Sequence, residues 1–164
     1  MNKTQFYAEL NRDFHSLMAG ETSFLATLAN TSALLFERLD GVNWAGFYLL
    51  EDKTLVLGPF QGKIACVRIP YGRGVCGTAV ATGEVQRVDD VHAFDGHIAC
   101  DASSNAEIVL PLRADGQIIG VLDIDSTVFN RFDADDEQGL RTLVEQLEAV
   151  IAATDFKKFF APVA

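Results

Sequence analysis

A chain of 164 residues, 49% apolar and 22% charged, is long enough for one domain with a full hydrophobic core and has an ordinary globular composition. Its formal net charge of −10 repels phosphate backbones and anionic lipid, which disfavours nucleic-acid and membrane-surface roles. No apolar run approaches membrane-spanning length, and the opening Met1-Asn2-Lys3-Thr4-Gln5-Phe6 has no basic segment leading into an apolar stretch. The expected address is the cytoplasm, where thiols are normally reduced.

Phe6, Tyr7, Leu10, Phe14, Leu17 and Met18 recur at helical spacing, and Gly20 closes that segment. A second helix is expected over about 22–39, with Phe24, Leu25, Leu28, Leu35, Phe36 and Leu39 on one face and Gly41 as its stop. The period then changes. Residues 43–50 and 54–60 flank the polar turn Glu51-Asp52-Lys53 and predict a hairpin. Residues 66–69 read as a short third strand closed by Pro70, and 74–81 as a short helix entered through a glycine-rich turn. From Asp89 to about Ala106 there is no periodicity, and so long a connection inside a compact domain usually serves a function. Residues 107–112 and 117–125 form a second hairpin around Ala114-Asp115-Gly116. Asp133 caps the last helix, in which Leu140, Leu143, Val144, Leu147, Val150 and Ile151 hold the i, i+3, i+4, i+7 register. Hairpins between helices predict an α+β fold, an antiparallel sheet with helices mainly on one face. There is no internal repeat or linker, so residues 1–164 are read as one domain.

The second hairpin carries three acids. Asp123 and Asp125 are two apart on a strand and point to one face. A two-residue Asp115-Gly116 turn would pair Ile108 with Asp123 and send Glu107 to the other face. A three-residue loop with Gly116 left-handed sets Glu107 opposite Asp123. The second register gathers Ile108, Leu110, Leu112, Ile118, Gly120, Leu122 and Ile124 on one wholly apolar face and all three acids at one end of the other. That segregation favours it, and Glu107, Asp123 and Asp125 are expected to cluster. Mutual repulsion then holds at least one proton to unusually high pH, which makes a general acid. The alternatives are a solvated loop end, with the acids capping Ser126 or Thr127, and a Mg²⁺ or Ca²⁺ site.

Three cysteines, Cys66, Cys76 and Cys100, match no zinc-ribbon or C-x-x-C spacing. Cys100 lies in the long loop beside Asp95, His97 and Asp101, the setting of an accessible nucleophile. Cys76 is near the start of the short helix, whose dipole favours a thiolate, although a small residue between Gly74 and Gly77 also packs well. Cys66, on a strand, reads as packing unless it resolves a sulfenic acid on Cys100. His92 and His97 could make a Cys-His pair or a metal site, but loop histidines are more often solvated. Trp44 and Tyr48 share strand parity with Gly46 and are either core aromatics or the wall of a small-ligand pocket, with Gly46 leaving room between them.

Pro70-Tyr-Gly-Arg-Gly-Val-Cys-Gly-Thr-Ala-Val-Ala-Thr-Gly83, then Val-Gln-Arg-Val and Asp89-Asp90-Val91, resembles a GAF domain. Asn43-Trp-Ala-Gly-Phe-Tyr48, Gly58-Pro-Phe-Gln-Gly-Lys-Ile-Ala-Cys66, Gly74-Val-Cys-Gly-Thr-Ala79, Phe94-Asp-Gly-His-Ile-Ala-Cys100, Asn105-Ala-Glu-Ile-Val-Leu-Pro111 and Gly120-Val-Leu-Asp-Ile-Asp-Ser126 extend the likeness. Together they resemble the free methionine-(R)-sulfoxide reductases, single-GAF-domain enzymes, over nearly the whole chain. The resemblance implies a loop-covered pocket on the sheet face away from most helices. It implies that Cys100 attacks, Cys66 closes a disulfide on it, and Cys76 supports or substitutes as the resolving thiol. Glu107, Asp123 and Asp125 would surround the sulfoxide, while Trp44 and Tyr48 help bind the substrate; among the acids, Glu107 is our expected proton donor. The resemblance further implies a homodimer, no bound cofactor or metal, and recycling by thioredoxin with NADPH through thioredoxin reductase. The rival is a non-catalytic GAF sensor for a cyclic nucleotide or other small effector. Such modules usually adjoin an output domain, and little chain follows the closing helix.

Overall fold

The computed structural model describes residues 1–160, so the last four residues of the expected domain lie outside the described residues. Helix α1 (Lys3–Met18) opens on a capping box in which Asn2 and Gln5 each accept the other's backbone N–H. Helix α2 (Phe24–Arg38) opens on Ser23, whose hydroxyl accepts the Ala26 N–H. The periodicity places both correctly, but Leu17, Leu25 and Phe36 are 50%, 55% and 37% exposed. Each adjoins a buried residue (Met18, Phe24, Leu35), and one step along a helix turns a side chain about 100° away from the core.

The strands are β1 (Val42–Glu51), β2 (Thr54–Gly62), β3 (Arg68–Pro70), β4 (Gln86–Val88), β5 (Ala106–Ala114) and β6 (Gln117–Ser126). They form one sheet in the order β3-β2-β1-β6-β5-β4, antiparallel throughout. Helices α1, α2 and α4 (Ala134–Ala152) cover one face over the larger core, which includes Phe14, Leu28, Phe47, Leu110, Leu122 and Leu147. The chain leaves β3 at one edge and re-enters at β4 on the other. On the way, α3 (Gly74–Thr82) packs over the opposite face on a smaller core with Trp44, Tyr48, Val109 and Val121. This is the expected α+β layout. Among the described residues no helix is long and apolar enough to cross a membrane.

Two local expectations need correction. Cys66 precedes β3 rather than opening it: the ladder to β2 runs only over Arg68–Pro70, while the Cys66 carbonyl accepts the Tyr48 hydroxyl at 2.8 Å. The β5–β6 turn has two residues, not three. Asp115 and Gly116 both adopt positive φ, 52° and 74°, the left-handed pair of a tight hairpin turn. Ala114 then pairs with Gln117 and Arg113 with Ile118, and a bulge leaves Ile119 without a partner, so that Leu112 meets Gly120. The bulge reverses the side-chain parity that the tight turn alone would impose. Glu107 therefore pairs with Asp125 instead of Asp123, yet shares a face with both acids. It also puts Ile119 in the larger core and Ile118 against the smaller one, the reverse of the expected assignment.

Candidate active site

The smaller core is open at one end into a compact pocket with a cavity of about 50 Å³. Its floor holds Glu107 from β5, Asp123 and Asp125 from β6, and Cys76 from α3; Trp44 and Tyr48 from β1 form a wall. Two loops frame the mouth, one with Ile64 and Ala65, the other with His97, Ile98, Cys100, Asp101 and Ser104. A Cys66–Cys100 disulfide ties these loops across 34 residues, with the Cα atoms 5.4 Å apart. The long unpatterned segment thus lies at the pocket mouth. Its ends are fixed, since the Val91 N–H donates to the Asn105 carbonyl and the Asn105 N–H to the Ser126 carbonyl.

The acids are not a solvated loop end. Glu107 and Asp123 are 6% and 5% exposed, and the Ser126 hydroxyl donates to the Gly41 carbonyl rather than to an acid. Removal from water pushes the Glu107 carboxyl well above its ordinary range, and the charges of Asp123 and Asp125 push it further. Burial also raises Asp123 and Asp125, the latter with help from the Asp123 charge. Protons are therefore retained on this floor at pH values where an exposed carboxyl has lost its own. One Asp123 oxygen, Oδ1, is buried without a hydrogen-bond partner.

Cys76 corrects the helix-dipole expectation. Its Sγ stands 3.9 Å from Glu107 Oε2, and burial followed by the three acids drives its thiol pKa well up. A nine-residue helix cannot offset that, and Cys76 is held as a thiol.

Trp44 and Tyr48 are both buried and both line the pocket, so the two readings offered for them coincide. Their polar ends hold the Cys66 loop: Trp44 Nε1 donates to the Lys63 carbonyl at 3.1 Å and Tyr48 to the Cys66 carbonyl. The room left by Gly46 is not ligand space. A Cβ there would strike Phe60, whose ring stacks on Trp44 at 5.1 Å between centroids.

Of the two histidines, His97 lines the pocket, with its pKa lowered by partial burial and then by His92. His92 instead lies 2.9 Å from Asn105 Oδ1, and neither belongs to the metal-capable group found among the described residues, Cys76, Glu107 and Asp123. Of the two acids beside Cys100, Asp101 is tied in. It accepts from the Ser103 N–H and hydroxyl and from Asn43 Nδ2, and these bonds lower its pKa. Asn43 Nδ2 also reaches Ser104 Oγ at 3.1 Å, pinning the Cys100 loop to β1. Sequence reasoning gave Asn43 and Ser104 no role. An Asp two residues before a Ser is a pattern that could have marked this turn, but no signal in the sequence points to its partner on β1.

A family profile described as "GAF domain" matches residues 22–152. The chain is 80% identical over 164 residues to the free methionine-R-sulfoxide reductase of Escherichia coli, covering 100% of this chain and 99% of that one. It is 41% identical to the enzyme of the same name from Saccharomyces cerevisiae, over 88% of this chain and 85% of that one. Among solved structures, free methionine-R-sulfoxide reductase from Neisseria meningitidis in complex with its substrate superposes with a TM-score of 0.89 at 47% identity, covering 93% of this chain and 92% of that one. With this pocket, these acids and likeness along its full length, the chain belongs to the free methionine-R-sulfoxide reductase family of GAF-domain proteins.

Proposed function

We propose that this protein reduces free L-methionine-(R)-sulfoxide to methionine by thiol chemistry at the pocket. The observation that carries the proposal is the group of buried, proton-retaining acids on the floor of the cavity whose mouth holds Cys100. A sulfoxide gives up its oxygen readily only when that oxygen is protonated. The Cys100 thiolate attacks the substrate sulfur while the Glu107 carboxyl donates its proton to the oxygen. The protonated oxygen then passes as hydroxyl from the substrate sulfur to the Cys100 sulfur as the bond between the two sulfurs breaks. Methionine departs and Cys100 is left as a sulfenic acid. Cys66 then displaces water from that sulfur, closing the disulfide. Two thiols are oxidised, one sulfoxide is reduced and one water leaves.

Cys76 supports the acids through its contact with Glu107, or resolves in place of Cys66. Asp123, Asp125, Trp44 and Tyr48 shape the pocket around the amino acid, with acid charge suited to its ammonium end. The chemistry needs no metal and no bound cofactor. Thioredoxin, at about −270 mV, reopens the disulfide in a cytoplasmic setting, and NADPH supplies the electrons through thioredoxin reductase. The working form is a homodimer, and residues 1–164 act as one domain.

The test is NADPH consumption in the presence of thioredoxin, thioredoxin reductase and each diastereomer of free methionine sulfoxide. Consumption with the R form supports the reading. No consumption, together with calorimetric binding of a nucleotide, would establish the sensor alternative instead.

A further inference from the structure

No acid occurs between Asp52 and Glu84, although the chain carries 23 acidic residues against 13 basic ones. Cys66 lies in that acid-free stretch, together with Lys63, Arg68 and Arg73. Among the described residues, none of these three cations forms an ion pair. The flanks of Cys66 are also apolar and bare, with Ile64 92% and Val67 54% exposed. Single exposed apolar residues are ordinary on a surface, but these two bracket one end of a reactive bond. Nor is the segment slack. The carbonyls of Lys63, Cys66 and Val67 accept from Trp44 Nε1, the Tyr48 hydroxyl and the Leu57 N–H, so three bonds hold the backbone that presents these side chains. Cys100 stands in the opposite setting. Its segment carries Asp89, Asp90, Asp95 and Asp101, and its apolar neighbour Ile98 packs inward on the smaller core.

We propose that Lys63, Ile64, Val67 and Arg68 form the docking surface for the protein dithiol that reopens the disulfide, and that this partner attacks the Cys66 sulfur. The partner that fits is one whose cysteine pair is rimmed by apolar and acidic residues. Such a rim is attracted to the Cys66 side and repelled by the carboxylates on the Cys100 side, which sets both the encounter rate and the orientation. A bond forms between the partner's thiolate sulfur and the Cys66 sulfur, while the Cys66–Cys100 bond breaks and leaves its electron pair on Cys100. The partner's second thiol then gives up its proton and attacks the partner's own bridged sulfur, and Cys66 leaves as a thiolate. The partner ends as a disulfide and this protein as a dithiol. That the occupant is a dithiol protein rests on the proposed recycling; the contrast between the two sides of the disulfide does not.

The full-length protein, oxidised so that Cys66 and Cys100 are joined, is mixed with thioredoxin whose second active-site cysteine is replaced by serine. Remaining thiols are blocked with N-ethylmaleimide and the adduct is mapped by peptide mass spectrometry. Thioredoxin is expected on Cys66 and the label on Cys100; bridging at Cys100 overturns the proposal. Val67 and Arg68 lie outside the pocket lining. Val67→Asp and Arg68→Glu are each expected to raise the KM for thioredoxin about fivefold or more, while turnover driven by dithiothreitol stays within about twofold of wild type. Added salt is expected to weaken thioredoxin-driven turnover in the wild type more than in Arg68→Glu. If Val67→Asp does not fold, Arg68→Glu decides alone. Thioredoxin kinetics indifferent to the substitutions overturn the proposal, and so does a change of oligomeric state on sedimentation, which would give the surface to a second copy of this chain. Wild-type protein that turns over no sulfoxide with dithiothreitol would overturn only the proposed function, because the mixed disulfide forms without sulfoxide.

Discussion

Glu107 lies directly across the β5–β6 ladder from Asp125, with Asp123 two residues away on the same face of β6. Three carboxyls stand where the smaller core offers little water, and the chemistry proposed here follows from that placement.

The acids fix a pH dependence whose sign can be worked out. Their folded-state pKa values lie above their unfolded ones, so their contribution to stability is full below about pH 4 and is lost as pH rises through the folded values. Each retained proton contributes a slope of up to about 1.4 kcal/mol per pH unit in that window. Urea unfolding midpoints of the wild type are expected to fall between pH 5 and pH 8 more than those of Glu107→Gln. A steeper fall in the variant would contradict the burial argument.

Glu107→Gln keeps the shape of the side chain and removes its proton. As the proposed donor, it is expected to lose about 10²- to 10⁴-fold in kcat. In the wild type, kcat/KM holds to higher pH than an ordinary glutamate would allow, then declines as the cluster ionises. Steady-state kinetics from pH 5 to 9 measure both, and a variant within threefold of wild type would remove Glu107 from the donor's role.

The two cysteines of the disulfide separate by step. Cys100→Ser abolishes even a single turnover. Cys66→Ser releases about one equivalent of methionine per chain without efficient thioredoxin recycling, which rapid-quench analysis resolves. Full steady-state activity in Cys66→Ser would assign the resolving step to Cys76 or to no protein thiol.

Gly120 tests how the sheet supports the pocket wall. A Cβ there would meet the Tyr48 carbonyl and the backbone of Leu49, with no flexible side chain to give way. Gly120→Ala pushes β6 from β1 and is expected to cost about 1–3 kcal/mol. Because Tyr48 anchors the Cys66 loop, KM is expected to rise as well. Unfolding curves and kinetics on the same preparation check both effects.

Asp136 provides a contrast away from the pocket. It is 1% exposed, accepts the Tyr7 hydroxyl at 2.7 Å, and bonds Lys3 and Arg131. Asp136→Ala strands the Tyr7 hydroxyl and a mostly buried guanidinium and is expected to cost about 3–5 kcal/mol. Activity below the melting range stays unchanged, which differential scanning fluorimetry and assays at low temperature can show.

The sequence by itself determined the helices, the hairpins and the shared face of the acids. Those features depend on periods of 3.6 and 2, which neighbours along the chain carry. Segregating apolar from acidic side chains placed Glu107 with Asp123 and Asp125 although the turn type was misjudged, because burial constrains the face more strongly than the partner. Only the tertiary structure decided the bulge at Ile119, the burial that holds Cys76 as a thiol, and the anchoring of the Cys100 loop by Asn43. Each depends on atoms distant in sequence that meet only after β1, α3 and β6 have packed. The free energy of a proton or a thiolate is set by the water those contacts exclude, and no local pattern of residues records that exclusion.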